Sequence, residues 1–274
     1  MDKFWSGKET TLDIIVPVLN GGKFLRDALK SIENQLSQPE RVILIDNCST
    51  DNTAEIMKRW ATNKKNVDVY QNRRLLSFAD NWNYGLELAS SEYVHFLAHD
   101  DTIHPKFVQT FKKIAKKHAQ ADAFAFRVCT IDESGNTQFN KFSLPFEYTL
   151  DSKRQLEKSI TVNPYNLAGG VFKRERMVNL NFMNRDYSIW SDWVLWQNIL
   201  MSGTIVRSLR VATNYRIHSD FEKKNERKDL VAKDLGMLIH YQLPLIFEHL
   251  KVDTDKRAKL ISSLQSNVLF HSSI

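Results

Sequence analysis

The stretch Glu92-Tyr-Val-His-Phe-Leu-Ala-His-Asp-Asp101 decides how the chain is read. Tyr93 to Leu97 is a short aromatic and branched run bounded by polar residues, the pattern of a buried strand. It leads directly into His99, Asp100 and Asp101, and a new helix is expected near Pro105. Adjacent carboxylates each raise the cost of ionising the other. A divalent cation held by hard oxygen ligands relieves that cost, and open α/β sheets gather ligands at the carboxyl ends of their strands. Two solvated turn aspartates are the competing reading of this stretch alone.

Upstream, Leu12 to Val18 is apolar apart from Asp13 and reads as a first central strand. Asn20-Gly21-Gly22 turns the chain into a helix with Phe24, Leu25, Ala28, Leu29, Ile32 and Leu36 at helical spacing. Arg41 to Asp46 is a second buried strand with an acid at its carboxyl end. Asn47 to Asp51 supplies turn and cap residues for a helix through Ile56, Met57 and Trp60. A third strand covers Val67 to Tyr70, and a helix follows from Phe78 through Ala89. Alternating strands and helices predict an α/β fold, a mostly parallel sheet covered on both faces with one ligand edge. Neither a Gly-Lys-Ser/Thr phosphate loop nor a G-x-G-x-x-G fingerprint is present.

The 274 residues are 26% charged and 42% hydrophobic, an ordinary soluble composition with room for a sizeable core. The net charge of +6 suits a phosphate-bearing ligand or an anionic membrane face, and many other proteins besides. Its densest basic segment, Lys106 to His118, sets Phe107, Val108, Phe111, Ile114 and Ala115 on one helical face and its lysines opposite, a solvated helix. The basic residues form no aromatic-interleaved patch, which argues against nucleic acid. Cys48 and Cys129 show neither disulfide-framework nor metal spacing. The first residues contain no apolar signal core, so a cytoplasmic location is the default expectation.

In the second half, Ala123 to Ile131 reads as a strand returning through Phe139 to Phe142, and Asp151 to Ser159 as a short helix. Leu167 to Phe172 reads as extended, with Gly169 and Gly170 permitting close approach of backbone or ligand. A helix starting near Ser191 places Asp192 in its first turn, where the helix dipole favours a carboxylate. Capping alone also accounts for an Asp there. Thr204 to Leu209 and Val211 to Tyr215 read as two strands, and Asp220 to Arg227 as a charged candidate lid. Helices complete the chain, with Pro244 interrupting one of them.

Leu12-Asp-Ile-Ile-Val-Pro-Val-Leu-Asn20, Val42-Ile-Leu-Ile-Asp-Asn-Cys-Ser-Thr-Asp-Asn-Thr53, Asn83-x-Gly85 and the strand ending at Asp101 together resemble a family 2 glycosyltransferase of GT-A fold. The resemblance runs over roughly residues 10 to 218 and implies a GT-A domain at 1–218 with a helical extension at 219–274. The nucleotide-binding half would be about 10–102 and the acceptor half about 103–218. It implies an inverting transfer from a nucleotide diphosphosugar, usually a UDP-sugar. Pro17, Val18, Leu19 and Asn20 would line the nucleotide pocket, Asp46 and Asn47 would meet the base, and Arg74 the base or a phosphate.

Two motifs depart from the family pattern. Asn47 stands where a second Asp is usual, and Ala98-His99-Asp100-Asp101 replaces Asp-x-Asp-Asp. Ribose is assigned to Asp100 and metal to Asp101, with the reverse acceptable and His99 as a polar wall. His218, in Tyr215-Arg-Ile-His218, is a further candidate ligand for Mn2+ or Mg2+. Asp192 matches the family's catalytic base, although Ser191 replaces the usual Glu. Gly169, Gly170, Trp190 and Ser191 are expected at the acceptor sugar.

The implied acceptor is a glycan or lipid-linked saccharide of a bacterial surface polysaccharide, reached at the inner face of the membrane through peripheral contact. The tail is mixed in charge, so packing on the catalytic domain or on a second copy in a homo-oligomer is expected ahead of anchoring. A catalytically silent nucleotide-sugar binding module is the rival of a different class, with Ala98 and Ser191 as its signs. A sugar-nucleotide nucleotidyltransferase would need a Gly-rich basic loop, which Pro17 to Lys23 lacks.

Overall fold

The computed structural model describes residues 9–137, 146–218 and 224–272. Strands β1 (Leu12–Val18), β2 (Arg41–Asp46), β3 (Val67–Gln71) and β4 (Tyr93–Phe96) run parallel in the order β3-β2-β1-β4. Every residue of β1 is buried, as a central strand covered on both faces requires. Its even-numbered residues Leu12, Ile14, Val16 and Val18 pack with α1 (Leu25–Glu33), α2 (Thr53–Ala61) and α4 (Phe107–Lys117). Ile15 faces the other layer, with Trp82 and Leu86 of α3 (Phe78–Leu88). The strand period of two thus sorts one sequence into two cores. The five apolar positions expected on α4 are the five it buries.

Asp13, the one acid inside β1, is fully buried and accepts hydrogen bonds from Ser90 N (2.8 Å), Ser91 N (3.0 Å) and Ser91 Oγ (2.6 Å). It fixes the turn that delivers the chain into β4.

Beyond β4 the sheet becomes mixed. Strand β8 (Gly170–Lys173) is antiparallel to both β4 and β6 (Ala123–Ile131), and β9 (Ile205–Arg216) runs parallel to β6. Two short strands, β5 (Thr102–Ile103) and β7 (Glu147–Thr149), pair antiparallel with β9. The two strands expected between Thr204 and Tyr215 are therefore one. Ser208 pairs with Phe126 and Ala212 with Arg127, so Leu209, Arg210 and Val211 are extra residues at a register shift. That bulge mimics a turn in the sequence. β7 pairs with β9 before it and β5 after it.

Helix α5 (Ser152–Ser159) is capped by Asp151, whose side chain accepts from Arg154 N. Leu167–Gly169 is a 3-10 turn, not the extended segment expected, and extension begins at Gly170. Asn166 drives that turn, its side chain accepting from Ala168 N. Helices α6 (Arg174–Asn179) and α7 (Ser191–Ser202) follow. Phe139 to Phe142 lies outside the described residues, as does the 220–223 portion of the expected lid.

At the carboxyl end, α8 (Lys224–Met237) runs through a π-helical turn at Leu238–Gln242 into α9 (Leu243–Leu250), and α10 (Thr254–Ser272) closes the described chain. Pro244 does not interrupt a helix; it sits in the first turn of α9. There its missing N–H is tolerated, with the wider π turn ahead of it. Leu238, Leu243, Ile246, Phe247 and Leu264 share one core with Trp193 and Trp196 of α7.

Candidate active site

The first elements of the site are the carboxyl ends of β1 and β2, neighbours in register at Val18 and Asp46. Asp46 is 1% exposed, its Oδ1 accepting from Ser49 N (2.9 Å) and its Oδ2 from Gln71 Nε2 (3.1 Å). Pro17 and Val18 are buried, while Leu19 and Asn20 are exposed at the rim. Asn20, with φ at +51°, accepts Thr50 N through its Oδ1 (2.9 Å), and its own N–H reaches Ser49 Oγ (2.9 Å). These bonds lock the two strand-end loops together.

Asn47, expected to meet the base, is bonded within the protein. Its Oδ1 accepts both Asn72 Nδ2 (2.9 Å) and Leu76 N (2.9 Å), and its Nδ2 donates to Leu76 O (3.0 Å). Both lone pairs of the amide oxygen are thus engaged within the protein. The residue ties down the 72–76 loop, on which Arg74 is exposed.

Beyond β4 the two acids diverge. Asp101 is 2% exposed and accepts Arg216 N through Oδ1 (2.9 Å). Burial, then the neighbouring Asp100 charge, push its pKa well above the usual carboxylate range. Asp100 instead places Oδ2 3.0 Å from His218 Nε2. The acid that faces an imidazole is Asp100, expected at the ribose with the reverse acceptable, and Asp101, expected at the metal, is turned inward. His99 is half-buried, its pKa lowered mainly by burial, and a Cβ on Gly21 would stand 3.0 Å from its ring. It walls the edge between the β1 and β4 loops.

Arg216 organises this corner and was not singled out in the sequence. Its guanidinium donates to Asp100 O (2.8 Å), Asp132 O and Glu133 O (3.0 Å each) and Asp27 Oδ2 (3.1 Å), with its Cζ 4.7 Å from the centre of the Phe24 ring. The His218 ring packs on the same Phe24 at 5.0 Å. The only available signal was an arginine between Tyr215 and Ile217 at the end of a strand.

Asp192 lies in the first turn of α7, partly accessible. Its Oδ2 accepts Asn163 Nδ2 (3.2 Å) and its Oδ1 accepts Trp193 N (2.7 Å). Desolvation raises its pKa to about 6, the hydrogen bonds opposing the shift. A chain of contacts links this turn to the carboxyl end of β2. Asn47 holds Leu76; the next residue, Ser77, caps α3 through Asp80 N; Asp80 Oδ1 accepts Arg185 Nε (2.5 Å). Ser191 Oγ then donates to Asn184 O (3.1 Å) and Tyr187 O (3.2 Å).

Three residues expected at the acceptor sugar make close contacts within the protein. Ser191 is 2% exposed and serves the 184–190 loop. A Cβ on Gly169 would stand 2.6 Å from Phe126 O, and one on Gly170 2.4 Å from the Phe172 ring, so packing demands both glycines. Trp190 is partly buried, edge-on to Trp193 at 5.1 Å.

Among the described residues no group of three His, Cys, Asp or Glu side chains could by itself hold a metal ion. Nor is any described helix long and apolar enough to cross a membrane.

This arrangement has relatives. A 26% identical relative over 215 residues is the GalNAc(5)-diNAcBac-PP-undecaprenol beta-1,3-glucosyltransferase of Campylobacter jejuni, covering 77% of this chain and 65% of that protein. Glycosyltransferase GlyG of Streptococcus pneumoniae is 29% identical over 130 residues, 47% of this chain and 42% of its own. The chain thus spans less than two thirds of the length of either. Among solved structures, S. aureus TarS 1-349 in complex with UDP superposes with a TM-score of 0.66 at 14% identity, over 93% of this chain and 70% of TarS; it is similar in fold. The model of glycosyl transferase family 2 matches residues 13–174, more than half of the chain and all four strands of the parallel edge built above. The chain belongs to glycosyl transferase family 2.

Proposed function

We propose that the chain transfers a sugar from a UDP-sugar, with inversion, to a hydroxyl of a glycan or lipid-linked saccharide in the synthesis of a bacterial surface polysaccharide. The observation that carries this is Asp192, a partly accessible carboxylate in the first turn of α7 with its pKa raised to about 6. Such a group is charged at neutral pH yet basic enough to take a proton, the property a general base needs. The relative's printed name includes a lipid-linked acceptor, and the TarS structure of like fold holds UDP.

In this reading the loops at Asn20, Asp46 and His99 seat the nucleotide. Asp192 removes the acceptor proton as that oxygen attacks the anomeric carbon, and the bond to the diphosphate breaks on the opposite side. Asn163 holds one carboxylate oxygen and so sets the direction in which the other acts. The helix dipole at the start of α7 favours the charged form before transfer.

Asp100 and His218 fit a divalent cation as a carboxylate and an imidazole 3.0 Å apart, beside a second carboxylate, Asp101, whose pKa is raised by burial and by the Asp100 charge. Two protein ligands with the diphosphate completing the shell is a usual arrangement for Mg2+ or Mn2+. When bound, the cation would offset charge on the departing diphosphate.

The test is UDP release from a panel of UDP-sugars, with and without manganese. Asp192→Ala should keep UDP binding and lose about 10²–10⁴-fold in turnover. Turnover near wild type would remove Asp192 as base, and binding without turnover in the wild type would favour the silent binding module.

A further inference from the structure

The carboxyl-terminal helices fall outside the family match at 13–174, yet one of their side chains reaches the loop that leads into Asp192. Asp234, on α8, is 0% exposed. Its Oδ1 accepts Ser188 N at 2.8 Å, and its Oδ2 accepts Ile189 N at 2.7 Å and Trp190 N at 2.9 Å, with Ser188 N also at 3.0 Å. Three successive amides converging on one carboxylate form an anion nest. They do so at the entry to α7, where Trp190 provides no side-chain cap of its own. A carboxylate this deeply buried is very unfavourable unless hydrogen-bonded, and these N–H groups are what satisfies it.

The nest has a direct bearing on position. Trp190 precedes Ser191, the first residue of α7, and Asp192 follows. Ser191 anchors to Asn184 O and Tyr187 O from the same loop, so the backbone that aims Asp192 is held from both sides. Lys233, next to Asp234, adds a bond from its Nζ to Ser188 Oγ at 3.2 Å. We infer that Asp234 is a positioning residue for transfer: it fixes the Ser188–Trp190 backbone and through it the direction of the Asp192 carboxylate. The carboxyl-terminal extension thereby becomes part of the catalytic apparatus. This rests on Asp192 being the base.

The experiment combines hydrogen exchange with a double-mutant cycle on the full chain. In the wild-type protein the amides of Ser188, Ile189 and Trp190 should exchange as slowly as those within α7. Rapid exchange there overturns the inference without any variant. Asp234→Asn, nearly isosteric, should speed those amides while leaving β1 and β2 protected. It should also lower kcat for UDP release from UDP-glucose or UDP-GlcNAc, water serving as acceptor, on the order of 10–10²-fold. The KM for the donor and the affinity for UDP should not change.

Placed on Asp192→Asn, the same substitution should have no further effect, because the group it positions is gone. An equal proportional loss in both backgrounds, or a fall in UDP affinity parallel to kcat, marks a general structural role and overturns the inference. Wild-type kcat in Asp234→Asn overturns it as well. If Asp192→Asn alone retains turnover, the assignment of the base fails, and the exchange result still judges the nest separately.

Discussion

Asp192 is kept at a pKa of about 6 by desolvation, against an ordinary value of 3.8. A carboxyl whose folded pKa is raised is easier to protonate folded than unfolded. Its contribution to stability is full below the unfolded pKa and is lost as pH rises through the folded one. Asp192→Asn should therefore melt a few degrees above wild type at pH 7, the difference closing as pH falls below about 4, read by calorimetry across that range. On the proposed role, kcat/KM should fall on the acid side with a midpoint near pH 6, and Asp192→Asn should abolish that limb. Arg216 makes a prediction of another kind. Its fork spans four acceptors on three segments, which the point charge of lysine cannot reproduce. Both Arg216→Lys and Arg216→Ala should destabilise, the latter by about 1–3 kcal/mol in urea unfolding, since the Asp100, Asp132 and Glu133 carbonyls lose their shared donor. The places of Asp46 at the end of β2 and Asp192 in the first turn of α7 were legible because strand ends and helix starts are local patterns. The inward turn of Asp101 was not, because it depends on the backbone of Arg216, distant in sequence.

At the level of elements, β1, β2 and β6 have the bounds their apolar runs predict. Such strands are covered on both faces, so composition alone marks their ends. Strands β5 and β7 are too short to carry a pattern; their partner defines them. The bulge at Leu209–Val211 misleads because an extra polar residue within a strand is spelled like a turn. Gly169 shows how tightly the second half is fitted, with its 3-10 turn laid against the Phe126 carbonyl. Gly169→Ala should cost about 1–3 kcal/mol of stability by overpacking. Fluorescence-monitored denaturation would measure that loss, and the chain's transition should stay single because β6, β8 and β9 shift together.

Across the whole molecule, the carboxyl-terminal helices contribute to the same apolar layer as α3 and α7. Ending the chain after His218 would uncover the surface that Leu238, Leu243, Ile246 and Phe247 now fill. Such a shortened protein should aggregate or bind a hydrophobic dye, as light scattering would show, and should not persist as a stable core domain. Those helices were legible as amphipathic, but the layer they complete was not, since a single sequence gives each apolar face without its partner.

The position of β9 also orders events on the ribosome. The parallel edge β3-β2-β1-β4 is complete by residue 96, but β5, which follows it, pairs among the described residues with β9. Until residue 216 leaves the exit tunnel, the aspartates at 100 and 101 lack the arginine that shapes their loop. A nascent chain can therefore assemble the loops proposed to seat the nucleotide well before it can complete the corner at Asp100 and Arg216. On the proposed function, chains stalled before that point would bind the nucleotide without turning over.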